Sequence, residues 1–150
     1  MSNLLPLPYM AGHYASGQPS REQLQAFARE GVRTVINLRA PSEPVEFDEA
    51  AAVQRERMRY VALPVAGADD LDREKVRQFG HALDQARALG PVLVHCASSN
   101  RVGALVALDE ALNRGATPGD ALARGRSAGL ASLEPAVVAL IERERTGPSA

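Results

Sequence analysis

The sequence is poor in cysteine and aromatic residues and has no long apolar run, and each scarcity excludes a class of protein. One cysteine among 150 residues cannot form an internal disulfide, so a disulfide-stabilised secreted scaffold is excluded. No apolar run approaches the roughly 18 residues of a membrane span. Lysine and arginine total 17 against 18 aspartates and glutamates, which argues against nucleic-acid binding through a basic field.

The composition that remains is typical of one globular domain. Hydrophobic residues make up 45% and charged residues 23% of the chain, and the length corresponds to about one domain. The first residues, MSNLLPLPYM, lack the basic region of a signal peptide. We therefore expect a single cytoplasmic domain over residues 1–150, with loosely ordered tails at 1–9 and 146–150. The sequence leaves the oligomeric state open.

Short apolar segments alternate with helical patterns along the chain. Strands are predicted at 32–38, 59–65 and 91–95, with a weaker one at 10–15. Helices are predicted after the capping residues Ser20, Asp72 and Thr117, and over 47–57, from 101 to Gly115, and over 133–144. This alternation predicts an α/β sandwich around a largely parallel sheet.

The lone cysteine lies in the most informative segment, His95-Cys96-Ala97-Ser98-Ser99-Asn100-Arg101. A predicted strand ends before Cys96, and a helix starts near Arg101. A tight loop followed by a helix N-terminus can direct backbone N–H groups at one anion. The same field lowers the pKa of a thiol below the usual value of about 8.5, and Arg101 can bind two oxygens of a tetrahedral anion. A lone cysteine after a buried strand is more often a small core residue, but this context favours catalysis or anion binding.

This segment resembles the signature loop of the cysteine-dependent protein tyrosine and dual-specificity phosphatases. The resemblance is to the small bacterial branch that includes the phosphatase-like domain of beta-lactamase-hydrolase-like proteins. Segments 16–20, 31–39, 60–65 and 128–130 match that branch in the same order. The resemblance therefore covers nearly the whole chain and implies a single-domain phosphatase-like sandwich, with a short, mainly parallel sheet flanked by helices.

The resemblance also implies a two-step phosphoryl transfer without metal or other cofactor. The Cys96 thiolate would attack phosphorus and form a phosphocysteine, which water would then hydrolyse. Arg101 and the loop amides would hold the equatorial oxygens, with His95 tuning the loop and the thiolate. The implied partner is a phosphorylated protein or small molecule. The phosphate-binding residues would be Ala97, Ser98, Ser99, Asn100 and Arg101.

The sequence departs from the usual phosphatase pattern in three ways. Four residues separate Cys96 from Arg101, whereas the common phosphatases have five; the shorter spacing is shared with this branch and with many rhodanese-type sulfurtransferases. Ser99 stands where the branch usually has glycine, so a positive φ there would be strained. Val102 replaces the serine or threonine whose hydroxyl steadies the leaving thiolate in the wider family.

The general acid is the least defined part of this interpretation. The wider family has an aspartate where this chain has Gly67, and Asp69 or Asp70 could replace it from a rearranged loop. The simpler interpretation is that both are turn or cap residues ahead of Asp72. Without an acid, only substrates with good leaving groups would react well.

Other functions fit the same residues. Arg39 follows a strand end, where α/β proteins gather ligand sites, so it could support anion binding or form a surface salt bridge. A rhodanese-like sulfurtransferase would carry a persulfide on Cys96. A non-catalytic phosphate-binding regulatory module would explain Ser99, Val102 and the missing acid.

Overall fold

A short, mainly parallel sheet forms the centre of the molecule. In this computed structural model, which describes residues 7–146, five strands pair in the order β1-β2-β5-β3-β4. All neighbouring strands are parallel except β1 and β2. The strands are β1 (Leu7–Met10), β2 (His13–Ser16), β3 (Thr34–Asn37), β4 (Arg59–Ala62) and β5 (Val92–His95). The predicted α/β architecture is thus confirmed.

The sheet register brings three strand ends to one edge. His95, the last residue of β5, lies level with Ser16 of β2 and Asn37 of β3. All four residues of β5 are buried, as expected for a central parallel strand covered on both faces. The chain therefore leaves the middle of the sheet at Cys96, at the carboxyl edge where α/β proteins bind ligands.

The N-terminal segment differs from its prediction. The expected strand at 10–15 is a hairpin of β1 and β2, in which Gly12 adopts a φ of +73°, a conformation that costs glycine little. Residues 7–9 of the predicted N-terminal tail belong to this hairpin. Residues 1–6 and 147–150 of the two predicted tails lie outside the described residues.

Within the part of the chain that the structure describes, six α-helices cover the two faces of the sheet. The predicted caps are present: Ser20 forms a reciprocal capping box with Gln23, and the Asp72 and Thr117 side chains accept N–H bonds from the first turns of their helices. The helices are α1 (Arg21–Arg29), α2 (Glu49–Arg55), α3 (Arg73–Arg87), α4 (Asn100–Leu108), α5 (Pro118–Ser127) and α6 (Glu134–Thr146). A π-helical turn, Asp109–Asn113, extends α4.

Alternate side chains of the strands face two separate apolar cores. Ile36 and Val94 belong to the larger core, which contains residues of α3 to α6, whereas Val35 and Leu93 belong to the smaller core with α1 and α2. Residues 102–108 of α4 are all buried, so this helix lies inside the larger core. None of the helices within residues 7–146 combines the length and apolarity needed to span a membrane.

Helix α4 is fixed by close backbone contact with the segment around α5. A Cβ atom placed on Gly103 would lie 2.0 Å from the Leu130 nitrogen and 2.6 Å from the Gly125 carbonyl oxygen. Only glycine permits this approach. Since α4 begins directly after the cysteine-containing loop, this contact also fixes the end of the loop.

Candidate active site

Backbone hydrogen bonds attach the loop after Cys96 to the end of β2. The Cys96 N–H donates to the Ser16 carbonyl at 3.2 Å, and the Gln18 N–H donates to the Ala97 carbonyl at 3.4 Å. Helix α4 then starts at Asn100, and its first-turn N–H groups have no partner within the helix. The sequence thus forms the predicted strand, loop and helix, with helix N–H groups near the loop.

Ser99 adopts the left-handed conformation that glycine would favour. Its φ is +75°, so the strain expected for a non-glycine residue is present. The Ser99 hydroxyl donates to the Ala128 carbonyl at 2.7 Å. A Cβ atom on Gly129 would lie 2.5 Å from that hydroxyl oxygen. The segment Ala128-Gly129 therefore packs directly beneath the loop and holds Ser99 in place.

Cys96 and Arg101 are brought together at this loop. Cys96 is fully buried, and Arg101 is partly buried. The pKa of Arg101 is raised above its ordinary value, first by its hydrogen bond to Glu43 and further by the neighbouring Cys96 sulfur. A thiol and a guanidinium thus lie within electrostatic reach at the two ends of one short loop.

Glu43 holds the end of the Arg101 guanidinium. Arg101 donates from Nη1 to Glu43 Oε2 at 2.6 Å and from Nη2 to Oε1 at 2.9 Å, and Nη1 also donates to the Val65 carbonyl at 2.8 Å. The Cys96 side chain is a further hydrogen-bond partner of the guanidinium. A guanidinium has five N–H donors. Three of them bind Glu43 and Val65, and the other two can bind Cys96 or an oxyanion.

The Glu43 carboxylate is itself firmly bound. The Ala40 N–H donates to Oε2 at 2.7 Å, and Arg39 Nε donates to Oε1 at 3.3 Å. The bond from Arg101, supported by those from Ala40 and Arg39, lowers the pKa of Glu43 to about 2. Glu43 therefore carries its charge throughout the neutral range and complements both arginines.

Among the described residues, Arg39 bonds to Glu43 and not to the loop. Its Nη2 donates to the Pro44 carbonyl at 2.7 Å, and its Nη1 donates to the Gln18 side-chain oxygen. The sequence left open a direct anion contact or a salt bridge for Arg39, and the structure shows a salt bridge. Any support that Arg39 gives to an anion site is transmitted through Glu43 and Gln18.

On the other side of the loop, His95 pairs with Glu49. Both side chains are buried, and His95 Nε2 donates to a Glu49 carboxylate oxygen. His95 Nδ1 lies 3.3 Å from the Cys96 carbonyl oxygen. The other Glu49 oxygen accepts a bond from Gln18 Nε2 at 2.8 Å. The orientation of the imidazole before Cys96 is thus fixed by a carboxylate from the first turn of α2.

Asp69 and Asp70 lie in a short 3-10 turn, Ala68–Asp70. Asp70 Oδ2 accepts the Ala66 N–H at 2.6 Å, which is a turn-stabilising contact. Among the described residues, neither aspartate has a hydrogen bond or ion pair with Cys96, Arg101 or the loop between them. The general-acid assignment therefore stays a prediction.

The sequence interpretation missed Glu43, Glu49 and Gln18. Both glutamates follow β3, near the sheet edge where ligand sites gather, and Gln18 lies in the segment 16–20 that carried the resemblance. The positions of these residues in the sequence indicate that they lie near the site. Spacing along the chain, however, cannot show which acidic side chain pairs with which basic one. Within residues 7–146, no group of three or more potential metal ligands is assembled.

Solved structures of known proteins share this arrangement of sheet, loop and helices. The chain superposes with a TM-score of 0.75 and 26% identity on a DUF442 protein from Shewanella putrefaciens CN-32, covering 94% of this chain and 91% of that one. TpbA of P. aeruginosa in complex with phosphotyrosine gives a TM-score of 0.68 at 24% identity, covering 86% and 77%. The fold is therefore that of the cysteine-type phosphatases.

The family follows from the sequence match. Residues 10–133 match the model described as a DSP-PTPase phosphatase fused to NAD+ kinase, so the chain belongs to this phosphatase family. It is also 37% identical over 102 residues to a beta-lactamase hydrolase-like protein of Xylella fastidiosa, a match that covers 65% of this chain. The matched part spans 23% of the length of that relative. The resemblance stated from the loop motif is confirmed.

Proposed function

We propose that this protein hydrolyses a phosphomonoester through a phosphocysteine on Cys96. The observation that carries the proposal is the position of Arg101, which is held by Glu43 and Val65 and has Cys96 as its neighbour. A guanidinium fixed in this way can bind two equatorial oxygens without reorganising during the reaction. Family membership supports phosphorylated substrates.

The proposed reaction proceeds in two displacement steps. The Cys96 thiolate forms an S–P bond as the bond from phosphorus to the substrate oxygen breaks, and the departing oxygen takes a proton from an acid or from water. Water then attacks phosphorus, the S–P bond breaks, and inorganic phosphate leaves with the thiolate restored. Arg101 and the amides of Ala97, Ser98, Ser99 and Asn100 stabilise the negative charge in both steps.

We infer an aryl phosphate such as phosphotyrosine as the preferred substrate class. A phenolate leaves more readily than an alkoxide, so an enzyme without a firmly placed acid favours aryl esters. Asp69 and Asp70 are the candidates for that acid, from the turn after β4. The phosphotyrosine complex of TpbA, which shares the fold, supports the same class.

The test is hydrolysis of p-nitrophenyl phosphate by the wild type, Cys96→Ser, Arg101→Ala and Arg101→Lys. We expect no turnover without the thiol and a loss of about 1000-fold without the guanidinium, with lysine a poor replacement because it lacks the two-pronged edge. Rapid acid quenching and mass spectrometry should detect a phosphoryl adduct on Cys96. Turnover that survives Cys96→Ser would remove the mechanism.

The same protein samples distinguish the rival functions. A sulfurtransferase would move sulfur from thiosulfate to cyanide and leave one extra sulfur on Cys96. A binding module would take up inorganic phosphate in calorimetry and show no turnover. For the acid, Asp69→Asn and Asp70→Asn should slow alkyl phosphates more than p-nitrophenyl phosphate if either residue donates the proton.

A further inference from the structure

A continuous chain of polar contacts joins the two ends of the loop. At one end, Arg101 binds Glu43, which also binds Arg39. At the other end, His95, directly before Cys96, binds Glu49. Gln18 lies between the two groups and contacts both.

The Gln18 carboxamide suits both of its charged neighbours. Its oxygen accepts from Arg39 Nη1, whereas its Nε2 donates to Glu49 at 2.8 Å and to the Pro19 carbonyl at 3.0 Å. A cation faces the amide oxygen and a carboxylate faces the amide nitrogen, so only one orientation of the group satisfies both. The backbone of Gln18 also bonds to Ala97, inside the loop.

We propose that Gln18 is a positioning residue for phosphoryl transfer, which closes a ring of hydrogen bonds and holds the Cys96 end and the Arg101 end of the loop at a fixed separation. The inference rests on the proposed function and deepens it. A shift of about 1 Å between reacting groups can cost about 100-fold in rate. A side chain that links both ends of the loop therefore affects catalysis without touching the substrate.

Two substitutions distinguish the effect of the Gln18 hydrogen bonds from the effect of its side-chain size. Gln18→Met keeps the length of the side chain and removes all of its hydrogen bonds. Gln18→Glu keeps an acceptor for Arg39 but places a second carboxylate against Glu49. Like charges at hydrogen-bond distance raise the pKa of one of the two carboxyl groups. At lower pH a shared proton restores a donor toward Glu49, so the variant then imitates glutamine.

Charged groups that do not contact position 18 act on every variant in the same way. The new carboxylate would face Glu49 and Arg39, with His95 and Glu43 behind them. Other charged residues line the same surface clefts as Gln18, namely Arg21, Glu22, Glu46 and Asp48. Because these residues are also present in the wild type, the ratio of variant to wild type at each pH isolates the effect at position 18.

The experiment measures kcat/KM for p-nitrophenyl phosphate and the calorimetric Kd of inorganic phosphate from pH 5 to pH 8. We expect Gln18→Met to lose about 10-fold in kcat/KM at every pH. Gln18→Glu should lose as much at pH 8 and recover most of it at pH 5. Ratios to wild type that do not change with pH in Gln18→Glu, or activity at the wild-type level in both variants, would overturn the inference.

Phosphate binding keeps this test distinct from that of the proposed function. A wild type that binds phosphate but never turns over overturns the proposed chemistry, and the pH-dependent Kd ratio of Gln18→Glu then still decides the role of Gln18 in shaping the loop. A wild type that neither binds nor turns over overturns both proposals.

Discussion

The Glu43 carboxylate and the Arg101 guanidinium form a two-pronged pair across 58 positions of sequence, with N···O distances of 2.6 and 2.9 Å. The pair uses both Nη groups of the arginine. A carboxylate in this position aligns the guanidinium, because it complements the charge of the arginine and binds it at two points.

Glu43→Gln is expected to lower kcat/KM for an aryl phosphate by about 10-fold or more, since the amide removes a charge and directs one N–H group at the arginine donors. The exposed neighbour Glu46 provides the control, and Glu46→Gln should be indistinguishable from the wild type. Steady-state kinetics checks both variants. Higher activity in Glu43→Gln would mean that this carboxylate competes with the substrate.

The same carboxylate should make stability depend on pH. The pKa of Glu43 is lowered from 4.5 to about 2 in the folded protein, so its stabilising contribution is complete above 4.5 and declines as pH falls toward 2. The difference in free energy of unfolding between wild type and Glu43→Gln should therefore shrink over that interval. Urea denaturation at a series of pH values measures it, and a difference that grows toward acid would contradict the assignment.

Ser99 allows backbone strain to be separated from a hydrogen bond. Ser99→Ala keeps the strained backbone and loses the bond to Ala128, so it should be about 1 kcal/mol less stable than the wild type. Ser99→Gly loses the same bond, but glycine adopts the left-handed conformation without strain. Its free energy of unfolding should therefore exceed that of Ser99→Ala by about 1 kcal/mol. Chemical denaturation gives both values.

Arg57, which has a φ of +64° after α2, is the matched control for Ser99. Arg57→Gly should gain about 1 kcal/mol in stability and leave the kinetics unchanged. The assignment of strain at Ser99 fails if the alanine variant is the more stable of the two.

Gly103, near the start of α4, should tolerate no larger residue. Gly103→Ala places a methyl group 2.0 Å from the Leu130 nitrogen, and we expect a loss of about 3 kcal/mol in the free energy of unfolding. Gly119 in α5 has no atom within 4 Å of an added Cβ, so Gly119→Ala should gain up to about 1 kcal/mol. Equal thermal midpoints for these two variants would refute the packing argument.

The parts of the molecule that depend on local sequence could be predicted. Strand β5, the loop after Cys96 and the capped starts of α1, α3 and α5 each follow from a few adjacent residues, because caps and β-branched runs act over short distances. The strain at Ser99 could also be predicted, because it requires only a non-glycine residue with a positive φ.

The contacts that complete the site could not be predicted in this way. The pairs Glu43–Arg101, Glu49–His95 and Gln18–Arg39 form only after three strands have aligned. From the sequence alone, several carboxylates near the ends of strands were equally suitable partners. The prediction that residues 10–15 form one strand was wrong, because Gly12 permits a turn that apolar alternation does not reveal. No pattern assigned Asp69 or Asp70, whose proposed role depends on a loop conformation.

The segment that carries Glu43 lies on the outside of the molecule, with Pro41, Val45 and Glu46 all exposed, and it contributes little to either apolar core. A change in this segment is therefore expected to reach the proposed active site through Glu43, with a loss of stability limited to the ion pair with Arg101. A screen for solubility alone would not detect such a change, whereas a measurement of turnover would.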